Sequence, residues 1–148
     1  MIRTEAEYQE AIRRVKQDRE VAEQQRLALV DMGLTPEEVE AAMEPLLCFQ
    51  EQLTEEITWY ENVCRGHFSP IKRLTDLGRL LISLRIANGL TQRELAERLK
   101  VSESAVSRDE RNEYHGITIE RAQRILDAIG ASITMDVSEP KTAVPVFI

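Results

Sequence analysis

Histidine and cysteine are scarce in this chain: two of each in 148 residues. With so few, there is no Ser–His–Asp set and no paired-cysteine motif. No glycine-rich phosphate loop is present either, so an enzyme is not expected. Cys64 and His67 stand three apart, a spacing met in metal sites, but no second pair accompanies them and no metal or other cofactor is expected. Cys48 and Cys64 fall in segments that read as helix, and are expected to be reduced, small core residues of a cytoplasmic protein. Aromatics are also thin, at 5%, with Trp59 the only tryptophan. Six glycines and five prolines are few, which favours helix over strand. No apolar run is long enough to span a membrane, and the basic-then-apolar start of a secretory signal is missing.

Apolar residues make up 43%, enough to bury a core in one ordinary domain or two small ones. The charge is uneven. Residues 1–68 hold seven Lys/Arg against fifteen Asp/Glu, a net −8, whereas residues 69–148 hold twelve against eleven. Asymmetry of this kind points to separate tasks for the two halves. Three regions are expected: an acidic helical hairpin over 1–68, a helical bundle over 69–131, and a strand-like tail over 132–148.

The first half reads as two long helices. Thr4 and Glu7 have the form of a capping box, and a thin stripe of Tyr8, Ile12, Val15, Ala22 and Leu29 follows. Gly33 offers the left-handed stop. Thr35, Pro36 and Glu38 then restart a helix. Val39, Met43, Leu46, Gln50, Leu53, Ile57, Tyr60 and Cys64 recur alternately by four and three, a coiled-coil-like seam with Gln50 its one polar member. Pro45 predicts a kink or a break. The seam either closes an antiparallel pair within the chain or also builds a homodimer, with Val39, Met43, Leu46, Leu53, Ile57 and Tyr60 as its contacts. Gly66 then ends the helix, and Ser69–Pro70 offers an N-cap for the next.

In the second half, Leu77, Leu80, Leu81 and Leu84 give one helical face that stops at Gly89. Thr91 caps the following helix with Glu94 as its box partner. Leu95, Ala96 and Leu99 point inward, and Ala96 is small enough for two helices to cross steeply. Lys100–Ser102 makes a corner, with Val101 as its apolar plug and Ser102 as the next N-cap. Ala105 and Val106 anchor a third short helix, leaving Glu103, Ser104, Ser107 and Arg108 outward near its start. Thr118 opens a last helix in which Ala122, Ile125, Leu126 and Ile129 face the core.

The run LRIANGLTQRELAERLKVSESAVSRDE resembles the helix-turn-helix of the Xre family, which includes lambda-type repressors, Cro proteins and many antitoxins. The likeness runs from about Leu77 to Gly130. It implies a mainly α fold in which a hairpin precedes a lambda-repressor-like bundle. Gln92 would set its amide and the helix N-terminus against a phosphate, and Arg93, Lys72 and Arg73 would steer the backbone. Glu103, Ser104, Ser107 and Arg108 lie where the family reads base edges: Arg108 suits guanine O6/N7 and Glu103 suits a cytosine amino group. Arg85 and Glu110 fall where the family places an internal ion pair. Lys100 departs from the pattern, since glycine is usual at that corner. The acidic loop after Arg108 departs too; Asp109 and Glu113 suit a loop turned away from phosphate, and Tyr114 and His115 suit backbone contacts.

After Gly130, the alternation of Ile133, Met135 and Val137 with polar residues predicts a half-buried strand, and the apolar end AVPVFI extends it. Such a strand needs a partner, either its counterpart in a dimer or another protein's sheet, and the alternative is a frayed tail. The functional expectation is a cytoplasmic, dimeric repressor that binds double-stranded DNA at an inverted repeat. The acidic hairpin would set the dimer geometry and hold the reader off non-specific DNA. The rival is an antitoxin that binds a partner protein such as a toxin and represses its own operon.

Overall fold

The computed structural model describes residues 1–138, and the apolar end of the chain, residues 143–148, lies outside them. Two long helices come first, α1 (Glu5–Asp31) and α2 (Pro36–Cys64). A 3₁₀ turn over Leu74–Asp76 leads into four short helices: α3 (Leu77–Ala87), α4 (Gln92–Leu99), α5 (Glu103–Arg111) and α6 (Ile119–Ile129).

Local chemistry accounts for most of these ends. Thr35 accepts from the Glu38 N–H while the Glu38 carboxylate accepts from the Thr35 N–H, and Pro36 occupies the first turn. At α1 the box is shifted: Thr4 accepts from the Glu7 N–H at 3.2 Å, but the Glu7 carboxylate accepts from the backbone of Arg3 at 2.7 Å. Pro45 neither breaks α2 nor divides it, because packed residues on both sides, Met43 and Leu46, hold the flanking turns. Ser69–Pro70 starts no helix; regular apolar spacing sets in only at Leu77, and so does α3.

The hairpin closes on itself. Val39 and Met43 pack with Ala22, and Leu29, Leu34 and Leu46 pack around them. Nearer the bundle, the Tyr8 and Tyr60 rings stack with centroids 5.1 Å apart, and the Tyr8 hydroxyl donates to Glu61 at 2.7 Å. That carboxylate holds the Tyr8 phenol above its ordinary pKa. Gln50, the polar member of the seam, donates its amide to the Asp18 carbonyl at 2.8 Å, which satisfies a half-buried polar group across the interface. On α1 the buried positions are Ala11 and Ala22, while Ile12 is turned outward. Small residues there let the two helices approach closely.

The main core runs across the junction between the halves. Ile2, Ala11, Ile57, Tyr60 and Val63 from the hairpin join Leu81, Ile82, Leu95, Val106 and Ile125 of the bundle in one cluster. The base of the hairpin is therefore welded to the bundle, while its outer half has only the small second cluster. The seam residues named above are thus used inside a single chain, Val39 and Met43 in the outer cluster and Ile57 and Tyr60 in the main one. Leu46 and Leu53 are half-buried at its edges. Cys48 and Cys64 are both exposed, not core residues, because Val63 takes the inward position at the end of α2. Among the described residues no strand forms: residues 131–138 are irregular, with Ile133 against the core and Met135 and Val137 in solvent. A strand in that segment has no neighbouring edge to pair with.

Candidate nucleic-acid interface

Helices α4 and α5 and the corner between them form the motif. Thr91 caps α4 with a complete box: it accepts from the Glu94 N–H, and its own N–H and hydroxyl donate to the Glu94 carboxylate at 2.8 and 2.9 Å. Those donors hold the Glu94 carboxyl below the usual carboxylate range. Ala96 is 2% exposed, consistent with the close crossing of the two helices. Val101 is exposed and does not plug the corner; Leu99 packs against the core in its place.

Lys100 takes the left-handed conformation, φ 57° and ψ 42°. A Cβ is strained there, so Lys100→Gly is expected to raise unfolding stability by about 1 kcal/mol. Chemical denaturation of the two proteins checks this, and an unchanged midpoint would show that the corner carries no strain.

Ser102 caps α5, accepting from the Ala105 N–H at 3.2 Å. The helix then has two opposed rows. Val106 and Glu110 point inward at 1% exposure each. Glu103, Ser104 and Arg108 are exposed, and Ser107 is half-buried beside them. Arg108 curls back to donate to the Ser104 carbonyl at 3.3 Å. Arg93, on the surface of α4, donates to Glu97 at 3.2 Å. A shallow concavity of about 550 Å³ between α5 and α6 is lined by Ala105, Arg108, Asp109, Asn112 and Arg121.

Beneath this surface lies a buried polar knot. Arg85, on α3, gives Glu110 two parallel hydrogen bonds, one of them 2.8 Å from Nη2 to Oε2. Two of its other three N–H donors reach the Leu90 carbonyl at 2.7 Å and the Arg3 carbonyl at 2.8 Å. Gln92 donates to the same Glu110 carboxylate at 2.7 Å. Each guanidinium nitrogen and both Glu110 carboxylate oxygens thus have a partner, the condition under which burying two charges is tolerable. It ties α3, α4, α5 and the segment before α1 to a single carboxylate.

The structure brings Arg85 and Glu110 together as the resemblance implies. It changes the reading of Gln92: that side chain is 9% exposed and its amide is committed to Glu110. Only the N-terminus of α4 is left to face an anion there. Tyr114 is likewise buried, which pushes its phenol well above the ordinary value. Lys72 and Arg73 are exposed ahead of the 3₁₀ turn. Three features have no clear sequence signal: the ion pair of Asp109 with Arg121, the Arg98 bond to the Ala128 carbonyl, and the Arg3 carbonyl as an Arg85 acceptor. Each joins residues far apart in sequence, and nothing local marks the partner.

Four short helices with a capped, tightly crossed pair presenting one outward row define a helix-turn-helix domain, the DNA-binding kind that serves transcription regulation. The Helix-turn-helix family model matches residues 81–135, which makes this part of the chain a lambda repressor-like, Xre-like helix-turn-helix. No curated protein and no solved structure matches the chain. No helix among the described residues is long and apolar enough to cross a membrane.

Proposed function

We propose that the chain is a sequence-specific transcription regulator that acts as a dimer on an inverted repeat and represses its own or a neighbouring promoter. The observation that carries this reading is the split of α5 into an anchored inner row and a free outer one. Val106 and Glu110 fix the helix, so Glu103, Ser104, Ser107 and Arg108 are presented as a unit to a major groove. Arg108 leaves the Ser104 carbonyl to bind guanine O6/N7, Glu103 accepts from a cytosine amino group, and the two serines complete the register. The N-terminus of α4 and Arg93, released from Glu97, hold phosphates. No catalytic step is assigned to any residue.

Fluorescence anisotropy with the upstream DNA and a scrambled duplex, over a salt series, tests the reading. Affinity should fall steeply with salt and favour the upstream sequence by roughly 10³-fold or more. Arg108→Ala should cost about 10- to 100-fold and relax preference at one base pair. Equal, weak binding to both duplexes would refute specific recognition.

The antitoxin reading rests on one further observation. Past α6 the chain leaves the bundle with Met135 and Val137 exposed at 73% and 94%, a segment suited to docking on a partner protein. Co-expression with the product of an adjacent gene decides it. A complex lost on truncation after Gly130 supports an antitoxin, and no complex removes that reading.

A further inference from the structure

The start of the hairpin makes a contact that its own helix does not need. In a capping box the carboxylate at the third helical position accepts from the N-cap N–H. Glu7 reaches one residue further back: it accepts from the Arg3 N–H at 2.7 Å and from Arg3 Nη2 at 3.3 Å. Ile2, 4% exposed, anchors the same stretch in the main core. The Arg3 side chain does not secure it. Two guanidinium nitrogens, Nε and Nη1, are buried and meet no acceptor among the described residues, which costs stability. The main chain of Arg3 is what the contact holds in place, and its carbonyl accepts from Arg85 Nη2 at 2.8 Å.

That nitrogen carries two hydrogens. One goes to the Arg3 carbonyl and the other to Glu110 Oε2. Helix α5 buries only Val106 and Glu110, so the carboxylate is half of its inward anchor. Glu7 therefore stands three hydrogen bonds from the recognition helix: Arg3 to Glu7, Arg85 to Arg3, Arg85 to Glu110. Without Glu7 the Arg3 carbonyl is released, and a buried N–H of Arg85 loses its acceptor. The guanidinium then resettles and the carboxylate moves with it. Gln92 and the Leu90 carbonyl still hold the knot, so α5 loosens without detaching.

We infer that Glu7 is a positioning residue for α5: from the exposed first turn of the hairpin it acts through the Arg3 carbonyl and Arg85 on the carboxylate that seats the recognition helix. The inference rests on the proposed function only for its consequence at DNA, since α5 carries the outer row. Electrostatics alone predicts something different for Glu7→Ala. Removing one negative charge from a chain of net −7 favours every duplex alike, and leaves the preference among them unchanged. A loosened α5 lowers that preference.

Hydrogen–deuterium exchange on the full chain without DNA is the first test. Glu7→Ala should speed exchange of the α5 amides by about 5-fold or more and leave those of α6 at the native rate. Glu7→Gln keeps an acceptor for the Arg3 N–H and should behave as native. Glu5→Ala removes the same charge from the same turn, but Glu5 bonds Gln9 and not Arg3, so α5 should again be unchanged. Anisotropy with upstream and scrambled duplexes follows: Glu7→Ala alone should lower the preference for upstream DNA by about 5-fold or more. Native exchange in α5, or equal acceleration in α5 and α6, overturns the inference, as does an undiminished preference for upstream DNA. If α5 loosens as expected but the native chain prefers neither duplex, the DNA reading fails and the positioning role stands. If the native chain prefers upstream DNA and Glu7→Ala matches it in both measurements, the reverse holds.

Discussion

Glu110→Ala is expected to remove about 3–5 kcal/mol of folding stability, the cost of leaving a buried charge without its partner. The Glu110 side chain is fully buried and that of Arg85 is 3% exposed. Truncation strands both the guanidinium and the Gln92 amide, since each donates to that carboxylate. Water cannot easily replace it, because Val106 and Leu95 fill the surrounding core. Denaturant unfolding gives the number directly. Two companions make it diagnostic. The exposed pair of Asp109 with Arg121 should cost less than about 1 kcal/mol when Asp109 is cut to Ala. The double change Arg85→Met with Glu110→Leu should lose much less than Glu110→Ala, since no charge is left unpaired. A loss below about 1 kcal/mol for Glu110→Ala would mean that solvent reaches the knot.

Gly78→Ala carries the second large effect, and two principles disagree on its sign. In an open helix the change gains about 1 kcal/mol, because alanine is the better helix former. Here a Cβ on Gly78 would lie 1.8 Å from the Glu113 carbonyl oxygen and 2.7 Å from its carbon. Backbone cannot swing aside like the end of a long side chain. Glu113 and Tyr114 already sit in the left-handed region, at φ 49° and 53°, and the Tyr114 ring is buried. The clash wins, and a net loss of about 3 kcal/mol is expected. A calorimetric melt of the variant reads the change. A rise in melting temperature would show that the 112–117 loop moves away at little cost.

Gly78 also shows where the sequence is silent. Nothing in DLGRLL marks the glycine as a point of contact with a loop 35 residues later. Capping was legible at every helix but α3, because it is local: Thr4, Thr35, Thr91, Ser102 and Thr118 all accept from the N–H three residues on, whereas Ser69–Pro70 starts no helix and α3 has no side-chain cap. The Arg85–Glu110 pair was legible only through resemblance, and the wider knot around it was not. Its other acceptors are backbone carbonyls, which any residue can offer. The Gln92–Glu110 bond was hidden for the same reason: a glutamine suits phosphate or a buried carboxylate equally, and only the fold brings Glu110 within reach. The seam of α2 was plain as a pattern, but a seam does not say which helix fills it. Here α1 does. Val101 and Cys48 were assigned inward on residue type and Cys64 on the spacing of the seam, whereas Val101 lies in the corner outside both helices and Val63 takes the inward position at the end of α2.

The hairpin carries a net −8 over residues 1–68, while the rest of the chain is close to neutral, and its outer half packs only on itself. Charge separated in this way along a rod of about 40 Å gives the molecule a large electric dipole. Near any polyanion the field exerts a torque that swings the hairpin outward and brings the helix-turn-helix end in front. The selection is made before contact, and it acts on orientation rather than affinity. Because the Debye length is about 10 Å at 0.1 M salt, this torque fades at ionic strengths where short-range contacts still hold. Encounter and grip in this protein therefore respond to salt on different scales.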